Sequence, residues 1–154
     1  MKATSLQIIE ILKKAGFEAY WAGGCVRDML LGIEPKDFDI VTSAKPDEIE
    51  DILEHTIPIG KKFGVILAIQ NGHTFEIATF RSDAGYSDGR RPDAVTFTNA
   101  KEDALRRDFT INAMFYDPTT EKVLDYVDGQ KDLLEEGIVR FIGDPEKRIQ
   151  EDNL

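Results

Sequence analysis

A chain of 154 residues with 42% hydrophobic content has the size and apolar fraction of one compact domain with a core of its own. Its 29 Asp and Glu against 19 Lys and Arg leave a net charge of −10 and a pI near 4.7, which argues against a free-standing nucleic-acid binder, because phosphate contacts need clustered cations. The single cysteine, Cys25, excludes an intrachain disulfide, no apolar run approaches the roughly 20 residues of a membrane span, and the start lacks a signal-peptide core, so the expectation is a cytoplasmic protein with no membrane partner.

In chain order, Leu6, Ile9 and Leu12 form one helical stripe over residues 5–14, with Ser5 as the expected N-cap and Gly16 as the stop. Residues 17–22 read as a strand, 23–31 as a helix behind a glycine pair, 37–42 as a strand, and 46–55 as an acidic helix opened by Pro46. Two strands, 65–70 and 74–80, flank Asn71-Gly72, a strong hairpin signal, and are expected beside the strand that carries Asp37. Residues 82–94 hold two Gly, one Pro, three Asp and two Arg without periodicity, and are expected to form a mobile functional loop over the substrate. A helix around 102–114, a turn at Asp117-Pro118-Thr119-Thr120, strands at 123–126 and 139–142, and a last helix beginning near Pro145 complete the reading. Helices and an antiparallel-containing sheet interleave without a steady βαβ rhythm, so the fold class is α+β, a mixed sheet with flanking helices.

Chemistry concentrates in three places. Gly23-Gly24-Cys25-Val26-Arg27-Asp28 opens a helix with bare backbone donors and a forked cation one turn on, which suits a triphosphate. Asp37 and Asp39 follow, alternating on a strand so that both carboxylates share one face, and Glu76 adds a third carboxylate within Phe75-Glu76-Ile77-Ala78-Thr79-Phe80. A charge between Phe75 and Ile77 in a central strand is costly unless paired or bound to metal, so the trio is expected to hold Mg²⁺. The physical use of three such carboxylates is phosphoryl transfer on two Mg²⁺ ions about 3.5–4 Å apart: Asp37 and Asp39 bridge the ions, and Glu76 completes the shell of the one that activates the attacking hydroxyl.

The third place is Arg106-Arg107-Asp108-Phe109-Thr110-Ile111-Asn112. Alone it reads as a helix end with solvated charges, but beside a nucleotide site Arg107, Asp108 and Asn112 offer a cation for phosphate and polar groups for ribose hydroxyls. Cys25 lacks a histidine partner and reads as a small buried residue, Trp21 and Tyr20 read as core or pocket wall, and His55 and His73 lack zinc-ligand spacing.

Taken together, the glycine pair with Asp37-Phe38-Asp39, the strand Phe75 to Arg81, Arg90-Arg91-Pro92, and the block Arg106 to Met114 resemble the catalytic head of the class II tRNA nucleotidyltransferase (CCA-adding enzyme) and bacterial poly(A) polymerase family. The blocks stand in the family's order and spread from about Tyr20 to the C-terminus. The resemblance implies a polymerase-β-like nucleotidyltransferase fold, metal at Asp37 and Asp39, triphosphate at Gly23, Gly24 and Arg27, and ribose contacts at Arg107, Asp108 and Asn112. It also implies a template-free base reader for ATP or CTP, of which Asp152 in Glu151-Asp152-Asn153-Leu154 is the acidic member and whose arginine partner would be the next residue.

On this resemblance residues 1–143 are the nucleotidyltransferase head and residues 144–154 the start of a truncated neck helix. The tRNA 3′ end is expected to be bound through domains missing from the chain, so that the chain alone is inactive or weakly active. The expected function is addition of CCA, or of the terminal A, to tRNA 3′ ends. The alternatives are a poly(A) polymerase head, a nucleotide-binding module without catalysis, and a smaller transferase acting on a protein or small-molecule hydroxyl. The intact segment 82–94 favours CCA or A addition over CC addition.

Overall fold

In the computed structural model, residues 1–84 and 94–143 are described. The chain folds as α1 (Lys2–Lys14), β1 (Ala19–Ala22), α2 (Gly24–Leu30), β2 (Asp39–Thr42), α3 (Pro46–Ile52), β3 (Thr56–Gly60), β4 (Val65–Gln70), β5 (His73–Thr79), β6 (Arg81–Ala84), β7 (Ala94–Phe97), α4 (Ala100–Leu105), β8 (Phe115–Asp117) and β9 (Lys122–Leu124). Short 3-10 turns occupy Lys61–Phe63 and Thr110–Asn112, and a turn of π-helix occupies Lys131–Glu136.

Seven strands form one mixed sheet in the order β3-β4-β5-β2-β1-β8-β9. Every neighbouring pair is antiparallel except β2 and β5, which run parallel with Ile40 opposite Ile77. The α+β expectation holds, and so does the placing of the hairpin beside the aspartate strand. Asn71 and Gly72 both take positive φ, 52° and 76°, the geometry whose twist matches a two-residue hairpin.

Alternation along the strands divides the core between two faces. Ile8, Ile9 and Leu12 of α1 and Ile49 of α3 pack against Trp21, Ile40, Ile66, Phe75 and Ile77 on one face. Ala100 and Ala104 of α4 cover Tyr20, Ala22, Val41, Phe80 and Phe115 on the other. Trp21 and Tyr20 are thus core, as expected, and the indole N–H donates to Ser5 Oγ at 3.0 Å.

That bond gives Ser5 a different task from the expected N-cap. Ser5 does not cap α1, which begins three residues earlier. It is fully buried, donates to the Lys2 carbonyl at 2.7 Å, and serves Trp21 instead of a helix end. Residues 82–94 are not all loop: β6 and β7 pair as a separate two-stranded ribbon from Arg81 opposite Phe97 to Ala84 opposite Ala94. Residues 85–93, with Arg90 and Arg91, lie outside the described residues, as do residues 144–154, with the expected neck helix and Asp152.

The helix expected over 102–114 is shorter. Asn99 caps α4 by accepting from the Glu102 N–H at 3.0 Å, and the helix ends at Leu105 because the chain beyond pairs with a distant segment. The Thr110 N–H donates to the Arg140 carbonyl at 3.0 Å, the Ile142 N–H to the Asp108 carbonyl at 2.9 Å, and Phe109 bridges Phe141. The strand expected at 139–142 is reduced to this bridge. Strands β3 and β8 were not anticipated: Pro58 interrupts the strand pattern of β3, and the turn residues after Phe115–Asp117 masked β8.

Candidate active site

The glycine turn lies at the end of β1, where register fixes what it meets. Ala22 pairs with Asp39, so the turn that follows Ala22 stands beside the carboxylate that opens β2. Gly23 takes φ 74° and ψ −135°, a backbone state that only glycine adopts without strain, and its carbonyl accepts from the Val26 and Arg27 N–H groups at 3.1 and 3.3 Å. The parallel pairing of β2 with β5 then puts Asp39 beside Glu76 on the α4-covered face, along the rows of Val41 and Ala78.

Asp39 and Glu76 stay exposed where that face runs out from under α4; Asp37, also exposed, precedes β2, which begins at Asp39, so the two aspartates do not alternate on one strand as expected. Exposure replaces the burial argument made from the sequence: Glu76 sits in a central strand, but its side chain faces the open side opposite Phe75 and Ile77. The three charges still feel one another. Partial desolvation and the charge of Glu76 raise the Asp39 pKa above the ordinary carboxylate value, Arg107 draws it back, and Asp37 raises it further. Among the described residues no three acidic, His or Cys side chains are drawn together tightly enough to cage a cation. The carboxylates are neighbours with repulsion between them, an all-oxygen donor set of the kind hard divalent cations take.

Two arginines close the other side. Arg27 donates from Nε and Nη2 to Asp28 Oδ1 at 3.1 and 3.0 Å and from Nη1 to Asn112 Oδ1 at 2.9 Å, so Asn112 orients Arg27 through its amide oxygen. A Cβ placed on Gly24 would lie 3.3 Å from Arg27 Nη2, and one on Gly23 would lie 3.9 Å from Arg107 Nη1. The bare glycines therefore face both guanidinium groups.

Arg107 is held from behind by Asp103, whose Oδ1 accepts from Nε and Nη2 at 3.1 Å each, and its guanidinium lies over Phe115 at 5.3 Å. Burial opposes its charge and lowers its pKa, while Asp103 works in the other direction. Asp108 is half-buried at the start of the segment paired with residues 140–142.

Cys25 is buried beneath the turn, donates to the Ala22 carbonyl at 3.3 Å, and burial pushes its thiol up to about 11, which suits a packing role. Asp103 was missed in the sequence reading. The signal was available, since Asp103 and Arg107 stand four residues apart, the helical spacing of an ion pair.

A family model described as the poly A polymerase head domain matches residues 19–140. The chain belongs to the poly A polymerase head domain family. A CCA-adding enzyme of Staphylococcus aureus strain MRSA252 is 49% identical over 148 residues, 96% of this chain and 36% of that protein. The crystal structure of the Bacillus stearothermophilus CCA-adding enzyme in complex with CTP superimposes with a TM-score of 0.86 at 38% identity, covering 98% of this chain and 36% of the other. A tRNA nucleotidyltransferase complexed with a primer tRNA and an incoming ATP analog superimposes at a TM-score of 0.67 and 31% identity, covering 88% of this chain and 39% of the other.

This poly A polymerase head domain thus spans little more than a third of the length of the relatives it matches. The expected α+β fold is the one these head structures share. No helix among the described residues is long and apolar enough to cross a membrane.

Proposed function

We propose that this chain is the nucleotide-transferring head of a template-independent RNA nucleotidyltransferase that adds CCA, or its terminal A, to tRNA 3′ ends from CTP and ATP. The observation that carries the reading is the register of three strands, which brings the Gly23 turn, Asp39 and Glu76 to one open corner with Arg107 alongside. The relatives named for CCA addition favour tRNA over a poly(A) tail as the acceptor.

Gly23, Gly24 and Arg27 receive the triphosphate, whose negative charge meets a backbone unobstructed by side chains and a guanidinium already steered by Asn112. Arg107 and Asp108 are the residues assigned to the ribose in this reading, with Arg107 Nη1 also within reach of the phosphates at the Gly23 turn. Asp37, Asp39 and Glu76 are the residues to hold two Mg²⁺ ions, which when bound make the hydroxyl a stronger nucleophile and neutralise charge on the phosphates. The RNA 3′-hydroxyl oxygen bonds to the α-phosphorus, its proton passes to Glu76, and the bond to the β-phosphate oxygen breaks with pyrophosphate leaving. Base choice belongs to Asp152 and a partner arginine, and acceptor binding to domains of the kind that fill the remaining length of the relatives. The reaction is cytoplasmic in this reading, where nucleoside triphosphates and tRNA meet.

The test is calorimetric titration of ATP, CTP, GTP and UTP with Mg²⁺ into this chain, alongside labelled transfer from ATP and CTP onto tRNA by the chain extended past Leu154. Nearly equal affinity for the four nucleotides is expected in the 154-residue protein, since each missing base contact removes about 1–3 kcal/mol of discrimination. Strong base preference here would move the reader into the head. Absence of transfer by the extended protein would refute the enzymatic reading.

A further inference from the structure

Asp103 is the most thoroughly enclosed acid of the described residues, with no exposed surface, and its two oxygens face in different directions. Oδ1 takes the Nε and Nη2 edge of Arg107, at 3.1 Å each. Oδ2 accepts from the backbone N–H of Arg81, the first residue of β6, at 2.8 Å, and from Arg106 Nη2 at 3.4 Å. An enclosed carboxylate loses its hydration and keeps its charge only where cations and N–H groups surround it, and here they do.

The pairing is also directional. A guanidinium has two usable edges, and with the Nε and Nη2 edge occupied, Nη1 is the group left turned toward the Gly23 turn, 3.9 Å from where a Cβ would stand. The ring of Phe115 supports the guanidinium from its face. Rotation of Arg107 about its last bonds would break two hydrogen bonds to Asp103 at once.

We infer that Asp103 is a positioning residue that aims Arg107 Nη1 at the nucleotide, with the Arg81 amide fixing the carboxylate that does the aiming. This rests on the nucleotidyltransferase reading. In that role Asp103 touches neither substrate nor metal, and its whole effect on the nucleotide passes through Arg107. A carboxylate that merely balanced charge in the core would affect stability without selective effect on ligand, and its removal would act independently of Arg107.

A double-mutant cycle separates these roles. Mg²⁺-dependent ATP affinity is measured by calorimetry, with the thermal midpoint in parallel, for the 154-residue protein, Asp103→Asn, Arg107→Met and the double variant. Asn keeps the shape and can still accept from the Arg81 N–H, but it cannot present two acceptors and a charge to the guanidinium.

Each single variant is expected to weaken ATP binding about tenfold, the scale of a charged hydrogen bond, and the double variant to bind no more weakly than Arg107→Met alone. Should Asp103→Asn alone fail to fold, the double variant, in which Asn keeps an acceptor for the Arg81 N–H and no guanidinium at 107 is left without its carboxylate, is expected to fold and to bind ATP as Arg107→Met does. Independent losses that multiply to about a hundredfold, or unchanged affinity in Asp103→Asn, would overturn the positioning role while leaving the nucleotide site standing. Absence of Mg²⁺-dependent ATP binding by the unaltered protein would overturn both, so the two failures read differently.

Discussion

Replacing each glycine of the pair by alanine should separate a backbone requirement from a ligand requirement. At Gly23 an added Cβ would meet Arg107 Nη1 at 3.9 Å, ordinary contact, so space is not the obstacle. The obstacle is φ 74° with ψ −135°, a state whose cost to a residue with a Cβ is about 1–3 kcal/mol. For a chain of this size about 1 kcal/mol moves the midpoint by roughly 2–4 °C, so Gly23→Ala should melt about 2–12 °C below the unaltered protein.

Gly24 is different. It opens α2 without positive φ, and alanine there gains up to about 1 kcal/mol of helix preference, but its Cβ would come within 3.3 Å of Arg27 Nη2. The guanidinium can swing away, which holds stability near its starting value and takes Arg27 off Asn112. Gly24→Ala should therefore keep its midpoint within a few degrees and lose Mg²⁺-dependent ATP affinity. Thermal melts by circular dichroism and calorimetric titration measure both. An unchanged midpoint in Gly23→Ala would refute the backbone argument, and unchanged ATP affinity in Gly24→Ala would refute the cradle.

Four further outcomes are expected. Asp39→Ala should abolish nucleotide incorporation by the extended protein while its metal-free thermal midpoint holds or rises, because a partly desolvated carboxylate beside Glu76 and Asp37 is relieved; Glu76→Gln should slow incorporation more than it weakens ATP binding. The extended protein should prefer ATP to 2′-deoxy-ATP, and Asp108→Ala should shrink the preference, a comparison of incorporation rates that fails if the unaltered protein uses both equally. The Thr110 hydroxyl, donating at 2.7 Å, and then Arg140 hold the Asp132 pKa below the ordinary carboxylate value. The stabilisation it brings is complete above the unfolded carboxylate pKa near ~4 and is lost as pH falls through the folded pKa, so Asp132→Asn should flatten the acid limb of a plot of midpoint against pH.

Local chemistry made much of the molecule readable. The Asn71-Gly72 turn, the stripe of Leu6, Ile9 and Leu12, and the glycine pair with Asp37 and Asp39 each declare themselves over a few residues. What escaped depends on partners far away in sequence. Ser5 looks like a cap until Trp21 claims its hydroxyl, and Arg106 to Met114 looks helical until residues 140–142 pair with Asp108 and Thr110. Asn112 reads in the sequence as a ribose contact, and only the fold shows that Arg27, 85 residues earlier, donates to its amide oxygen. Glu76 was placed on the right strand and assigned the wrong environment, since period-2 alternation reveals that it opposes Phe75 and Ile77 but not whether that face is covered.

The pairing of β2 with β5 shows why the corner carries function. It is the sole parallel pair among the described strands, and joining two parallel neighbours takes a long crossover, here α3, β3 and β4. The crossover returns the chain so that Asp39 and Glu76 lie side by side, like charges in adjacent rows that destabilise a sheet. One residue further along the same two strands, Ile40 opposes Ile77 on the other, buried face, so the parallel pairing is held by apolar contact there and gains nothing from the charged row. A conflict of charge at the point where a glycine-only turn and an aimed arginine also arrive is the pattern expected where stability has been surrendered to a ligand, and the nucleotide with its cations is the ligand whose charge would resolve it.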